Sequence, residues 1–123
     1  MKNYGKELIL DLHDCDPSTF TRKSIKEFFK ELCELIDMER EKLVWRDYKG
    51  LPKEYAIAPP HLKGISAVQF IKTSNITVHT LEELKRIYIN IFSCKTFKES
   101  DVWEFAKKWF KGTIVNFAVV NRT

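Results

Sequence analysis

The hydrophobic positions of this chain switch between two periods, two and about 3.6 residues, and the switches mark its elements. In Lys6–Cys15 (KELILDLHDC), Leu8, Leu10 and Leu12 alternate with Asp11 and His13, which predicts a half-buried strand. Asp16-Pro17 reads as a cap followed by proline in a first turn. From Ser24, the residues Ile25, Phe28, Phe29, Leu32, Leu35 and Ile36 recur at helical spacing and predict an amphipathic helix to about Met38. Lys42–Tyr48 predicts a short second strand. Lys49–Lys63 holds Gly50, Pro52, Pro59 and Pro60 and predicts a loop long enough to line a site. Gly64–Ile71 predicts a third strand. After Ser74, Ile76 and Val78 alternate with Thr77 and His79 in a fourth, and Leu81–Lys85 could form one helical turn. Ile87, Ile89 and Ile91 place a fifth strand in Arg86–Ser93. Asp101 is the expected cap of a second helix, with Val102, Phe105, Ala106, Trp109 and Phe110 inward and Gly112 as its stop, and Thr113–Asn121 closes the chain as a last strand.

The order β-α-β-β-β-β-α-β predicts an α+β two-layer sandwich: a mostly antiparallel sheet with two main helices on one face. Such a sheet leaves its other face in need of cover, so the pattern also predicts a homodimer in which two sheets pack into an α-β-β-α arrangement. No repeat, linker or low-complexity tract interrupts the 123 residues, and 1–123 is read as a single domain.

Composition narrows the functional classes. With 44% hydrophobic and 31% charged residues the chain can bury a core, and its aromatics (Phe 9, Tyr 4, Trp 3) suggest a well-filled core or an apolar face left for a partner. The net charge of +4 comes from scattered lysines. The densest cluster, Lys107, Lys108 and Lys111, falls on the polar side of a predicted helix without interleaved aromatics, so no nucleic-acid partner is expected. No window approaches the roughly 18 apolar residues of a membrane span, and the opening residues carry no signal-peptide pattern, which predicts a cytoplasmic protein. Three cysteines, Cys15, Cys33 and Cys94, argue against a disulfide framework, and Cys33 falls among the apolar helix positions as a buried structural thiol. No pair has zinc-site spacing: His13 and Cys15 are too close to stand alone, and His61 and His79 are isolated, so no metal is expected.

The side chains with chemical potential are Ser66, Ser74, His79 and Cys94. Ser66 and Ser74 are eight apart and would share a face if the strand ran on regularly. Ser74 and His79 are five apart and need a turn to meet. Cys94 ends the following strand. These residues could form a hydrolase-like nucleophile–base pair, though without a Gly-x-Ser-x-Gly elbow, or they could be strand-end polar groups and a packed cysteine.

The stretch Ser74-Asn75-Ile76-Thr77-Val78-His79-Thr80, with Cys94 twenty residues past the serine, resembles the core of the prokaryotic S-adenosylmethionine decarboxylase proenzymes. In that family Glu-Ser-His-[Ile/Leu]-x-Ile-His-Thr is followed by a strand ending in Thr-Cys. Gly5-Lys6-x-Leu8 through Cys15-Asp16 is similar to the family's opening strand, Ser66 falls where a processing serine is found, and Asp101-Val102-Trp103 is similar to an Asp-Pro-Trp that begins the second helix. The resemblance implies a self-processing enzyme of polyamine synthesis. Ser74 would attack the Thr73 carbonyl in an N→O acyl shift, with His79 and Ser66 assisting. The cut at Thr73–Ser74 would leave a β chain, residues 1–73, and an α chain, 74–123, whose Ser74 has become a pyruvoyl cofactor. That ketone would form a Schiff base with the substrate amine, and Cys94 would return a proton to the product carbon. Glu83 matches the acidic residue that holds the ribose hydroxyls. The sequence departs from the pattern at Thr73 (family Glu), Asn75 (family His), and at Pro60 and Leu81, where the family has aromatics that stack on adenine. Two readings stand beside the leading one: the same chemistry on arginine or ornithine, whose cationic side chain Glu83 could hold, and an unprocessed, non-catalytic homologue serving as a partner subunit.

Overall fold

The computed structural model describes residues 3–123. Six strands form one antiparallel sheet: β1 (Gly5–His13), β2 (Arg40–Arg46), β3 (Ser66–Ile71), β4 (Ser74–Leu81), β5 (Arg86–Ser93) and β6 (Thr113–Arg122). Their spatial order is β2-β3-β4-β5-β1-β6. Helices α1 (Arg22–Leu35) and α3 (Glu99–Phe110) pack on one face, and a short α2 (Pro52–Ile57) lies in the connection from β2 to β3. The predicted two-layer α+β architecture is therefore the observed one. No helix among the described residues is long and apolar enough to cross a membrane.

The alternation read from the sequence sets the two faces. Leu8, Leu10, Leu12, Ile76, Val78, Ile87, Ile89 and Ile91 point to the helix layer and are buried. Their strand neighbours Glu7, Ile9, Asp11, Thr77, His79, Tyr88 and Asn90 fall on the opposite, uncovered face and are half-buried. From the helices, Ile25, Phe28, Phe29, Leu32, Val102, Ala106 and Phe110 complete one core. Phe28 lies at its centre, with ring centroids 4.7 Å from Phe110, 5.6 Å from Phe105 and 5.9 Å from Phe29. Truncating a fully buried aromatic forfeits its transfer free energy and leaves a void, so Phe28→Ala should lower stability by about 3–5 kcal/mol, read as a fall in the urea midpoint at unchanged slope.

Five expectations differ for local reasons. The first helix begins earlier, because the Thr21 side chain accepts from the Ser24 backbone N–H and caps it. Lys49–Lys63 is not all loop: Pro52 at a helix start, with Glu54 in the first turn, sets up α2. Asp101 is not the cap of α3; Lys98 occupies that position and Asp101 sits in the first turn, where its charge favours the helix N-terminus. Leu81–Lys85 is not a helical turn: Leu81 ends β4, and residues 82–85 make the hairpin connection, with Lys85 left-handed at φ 55°. Gly112 is likewise not the left-handed stop; Lys111 takes that role at φ 53°, and Gly112 is needed because a Cβ there would lie 2.5 Å from Cys15 Sγ.

Candidate active site

Strands β3 and β4 are joined by only Lys72 and Thr73, with Ile71 paired to Ser74 across the hairpin. Closing so short a connection puts Thr73 in the left-handed region at φ 64°. A β-branched residue there is strained, by about 1–3 kcal/mol for such sparsely populated backbone. The strain falls on the residue whose carbonyl precedes Ser74. Ser74 itself starts β4 on the helix face and is 8% exposed. Its hydroxyl donates to Ser93 Oγ at 2.8 Å. Ser93 is directly opposite on β5 and fully buried.

Cys94 leaves the sheet immediately after Ser93 and lies over the turn. Its Sγ is 3.3 Å from Thr73 Oγ1 and 3.8 Å from the Thr73 carbonyl oxygen. This approach requires Gly5 at the start of β1, because a Cβ there would meet the Ser93 carbonyl oxygen at 2.3 Å and Cys94 Cα at 2.8 Å. Tyr4, Gly5, Lys6, Cys94 and Asn121 line a cavity of about 180 Å³ on one side of the turn, and Met38, Glu39, Thr73 and Lys95 line another of about 360 Å³ on the other. The Thr73 hydroxyl holds the Cys94 thiol below the ordinary thiol range against its partial desolvation, and the Tyr4 hydroxyl acts in the same direction. Burial pushes Cys15 and Cys33 up to about 11 instead. Iodoacetamide should therefore label Cys94 selectively, with a rate rising through a midpoint below that of an unperturbed thiol. Thr73→Ala, made in an uncut Ser74→Ala chain, should move that midpoint to higher pH; an unmoved midpoint would exclude the threonine as its cause.

Ser66 and His79 form a second centre. They face each other across β3 and β4, and Ser66 Oγ lies 2.6 Å from His79 Nδ1. The His79 ring stacks near Tyr88 at 6.4 Å, and Arg46, Tyr48 and Leu62 join the pair around a cavity of about 250 Å³. Two spacing expectations fail here. Ser66 and Ser74 do not share a face, because the hairpin at Lys72-Thr73 lies between them and puts Ser66 on the open face and Ser74 on the helix face. No turn brings His79 back to Ser74 either. β4 runs on from Ser74 to Leu81, and five residues of strand separate the two by ~17 Å on opposite faces. Within one chain, then, the structure brings Cys94 to the Thr73–Ser74 turn and Ser66 to His79, and keeps the two centres apart.

Glu83 lies in the connection after β4, where its carboxylate accepts from Lys63 Nζ at 2.9 Å. Lys63 is only 9% exposed, and Tyr55 beneath it donates to Glu82 at 2.7 Å. Pro60 is exposed and Leu81 buried, so neither offers an aromatic face. The residue that sequence reasoning missed is Ser93. Its signal was present: a serine in register with Ile87, Ile89 and Ile91 is a polar group on a buried face and needs a partner. Among the described residues no three His, Cys, Asp or Glu side chains gather as a metal site.

A six-stranded antiparallel sheet with both long helices on one face, carrying a buried serine after a strained turn, defines an α+β two-layer sandwich. The S-adenosylmethionine decarboxylase family model matches residues 6–123. The chain belongs to that family. The crystal structure of the adenosylmethionine decarboxylase from Aquifex aeolicus has the same fold, with a TM-score of 0.77 at 15% identity over 99% of this chain and 92% of that one. No curated protein sequence matches.

Proposed function

We infer that this protein is a self-processing S-adenosylmethionine decarboxylase of polyamine synthesis, acting as a homodimer. The observation that carries this reading is the Thr73–Ser74 junction: a left-handed threonine, its carbonyl beside Cys94, and a serine hydroxyl held next to it. These residues fit a pyruvoyl precursor, since only a residue with a β-oxygen can accept the acyl group and afterwards lose it. In the first step Ser74 Oγ bonds to the Thr73 carbonyl carbon, the Thr73–Ser74 C–N bond breaks, and the hydroxyl proton ends on the freed nitrogen. Loss of the Ser74 α-proton then expels Thr73 as a carboxylate. The dehydroalanine left behind takes a proton at Cβ to become an imine, and its hydrolysis by water releases ammonia and leaves the ketone. That ketone, once formed, supplies the electron sink for decarboxylation. Relief of the turn strain favours the cut.

The α-proton needs a base, and His79 suits it when its Nδ1–H donates to Ser66, which leaves Nε2 free. Because His79 lies too far along its own strand, the base that serves Ser74 comes from a second copy. The open sheet face supports such pairing: it exposes Phe70 and Val120 beside half-buried Ile9, Val68 and Phe92, and it carries His79 itself. Cys94, next to residue 74 and with its thiol pKa lowered, is placed to return a proton to the product carbon.

S-adenosylmethionine is favoured over arginine or ornithine by the family and by the Lys63–Glu83 pair. A carboxylate that already holds an ammonium offers little to a cationic side chain. Denaturing intact-mass measurement tests the reading. Fragments ending at Thr73 and beginning at residue 74 without an amine support it, whereas a single persistent mass with no decarboxylation leaves the non-catalytic alternative.

A further inference from the structure

Resting on this reading, we propose that Ser93 is the positioning residue for self-cleavage: it fixes the Ser74 hydroxyl for attack and has no part in decarboxylation. Ser74 Oγ lies 2.8 Å from Ser93 Oγ, and this is the side-chain hydrogen bond that the Ser74 hydroxyl makes. Ser93 is itself immobile. It is fully buried between β1 and β4, paired in register with Lys6 on one side and Ser74 on the other. Its oxygen accepts the Lys95 backbone N–H at 2.9 Å, and its proton points to Met38 Sδ at 3.9 Å. With those commitments its remaining lone pair takes the Ser74 proton.

This direction matters for the acyl shift. An attacking hydroxyl must turn a lone pair toward the carbonyl carbon and its proton away from it. Anchoring the Ser74 proton on Ser93 does so before any partner residue arrives, which removes a rotamer search from the step. A neutral serine is no base, so Ser93 does not keep the proton. The proton leaves when Oγ bonds to the Thr73 carbon and ends on the Ser74 nitrogen. Afterwards residue 74 has no hydroxyl, and the bond to Ser93 has no counterpart in the mature site.

The role separates Ser93 from His79 in a measurable way. Without Ser93 the ester forms slowly; without His79 the ester forms and waits. Hydroxylamine cleaves esters and spares amides, so it counts the ester population. In purified wild type, cleavage kinetics are followed first by intact mass; a wild type that never cleaves refutes the self-processing reading itself and the Ser93 role with it. Given cleavage, Ser93→Ala should slow it by about tenfold or more, with little hydroxylamine-released fragment. His79→Ala should accumulate hydroxylamine-sensitive chain. Ser93→Thr, which keeps the hydroxyl, should restore the rate to within a few-fold. Ser93→Cys fills the same space with a poor acceptor and should be as slow as alanine, which keeps the test decisive if Ser93→Ala fails to fold. Decarboxylation per cleaved chain should be unchanged in every Ser93 variant that matures. Cleavage of Ser93→Ala or Ser93→Cys at the wild-type rate, failure of threonine to rescue, or abundant ester in the slow variants would each overturn the proposal.

Discussion

Ser74→Ala should leave a single uncut chain of 14.6 kDa and no decarboxylation above background. The effect is the largest any one substitution can have here. On the proposed mechanism it removes the Oγ that opens the Thr73–Ser74 bond and then departs with the Thr73 carboxylate, so no ketone can form at residue 74. An electron sink supplies most of the acceleration of such a reaction, so activity should fall by about 10⁶-fold or more rather than by a modest factor. The fold should survive, because the alanine loses only the bond to Ser93 and keeps the Ile71–Ser74 hairpin register. Electrospray mass and labelled carbon dioxide release decide together. Activity retained by an uncut Ser74→Ala protein would rule out residue 74 as the source of the cofactor.

The second large effect comes from the ~17 Å of strand between Ser74 and His79. If each catalytic centre is built from two copies, Ser74→Ala and His79→Ala chains are dead for different reasons and can rescue each other. Expressed separately, neither should mature. Co-expressed in equal amounts, they form mixed dimers in which the Ser74 of the His79→Ala chain faces an intact His79. With random pairing about half of the His79→Ala chains sit in such dimers and should be cleaved, while the Ser74→Ala chains stay whole. A tag on one chain makes the two distinguishable by mass. No cleavage in the mixture, with mixed dimers present, would mean that His79 does not act across copies. Cleavage of the His79→Ala chain alone would remove His79 from processing.

The sheet was readable because its strands alternate cleanly. Leu8, Leu10 and Leu12, and then Ile87, Ile89 and Ile91, have one possible inner face each, and burial follows it. The helices were readable for the same reason at the other period. Of the candidate residues picked out by spacing, Cys94 does lie against Thr73, the residue before Ser74, and Ser66 and His79 do face each other. What spacing could not carry was which pair serves which. Lys72-Thr73 has none of the usual turn residues, so a hairpin that reverses the chain and forces threonine to a positive φ is hidden in ordinary sequence. The Lys63–Glu83 pairing was hidden too, because it depends on how the long connection after β2 lies against the turn after β4.

The strand order has one more consequence. A cut after Thr73 assigns β1, β2 and β3 to one polypeptide and β4, β5 and β6 to the other, yet β1 lies between β5 and β6. The two pieces are thus interleaved, and pulling them apart means stripping β1 from hydrogen bonds on both its edges. The nicked protein should hold together without any covalent tie. Such a cut would change the character of unfolding: an uncut chain folds as one connected piece, whereas refolding of a cut one needs two separate pieces to meet. Recovery from denaturant should then become slow and concentration-dependent, so that maturation turns a reversible fold into one kept by the height of its unfolding barrier.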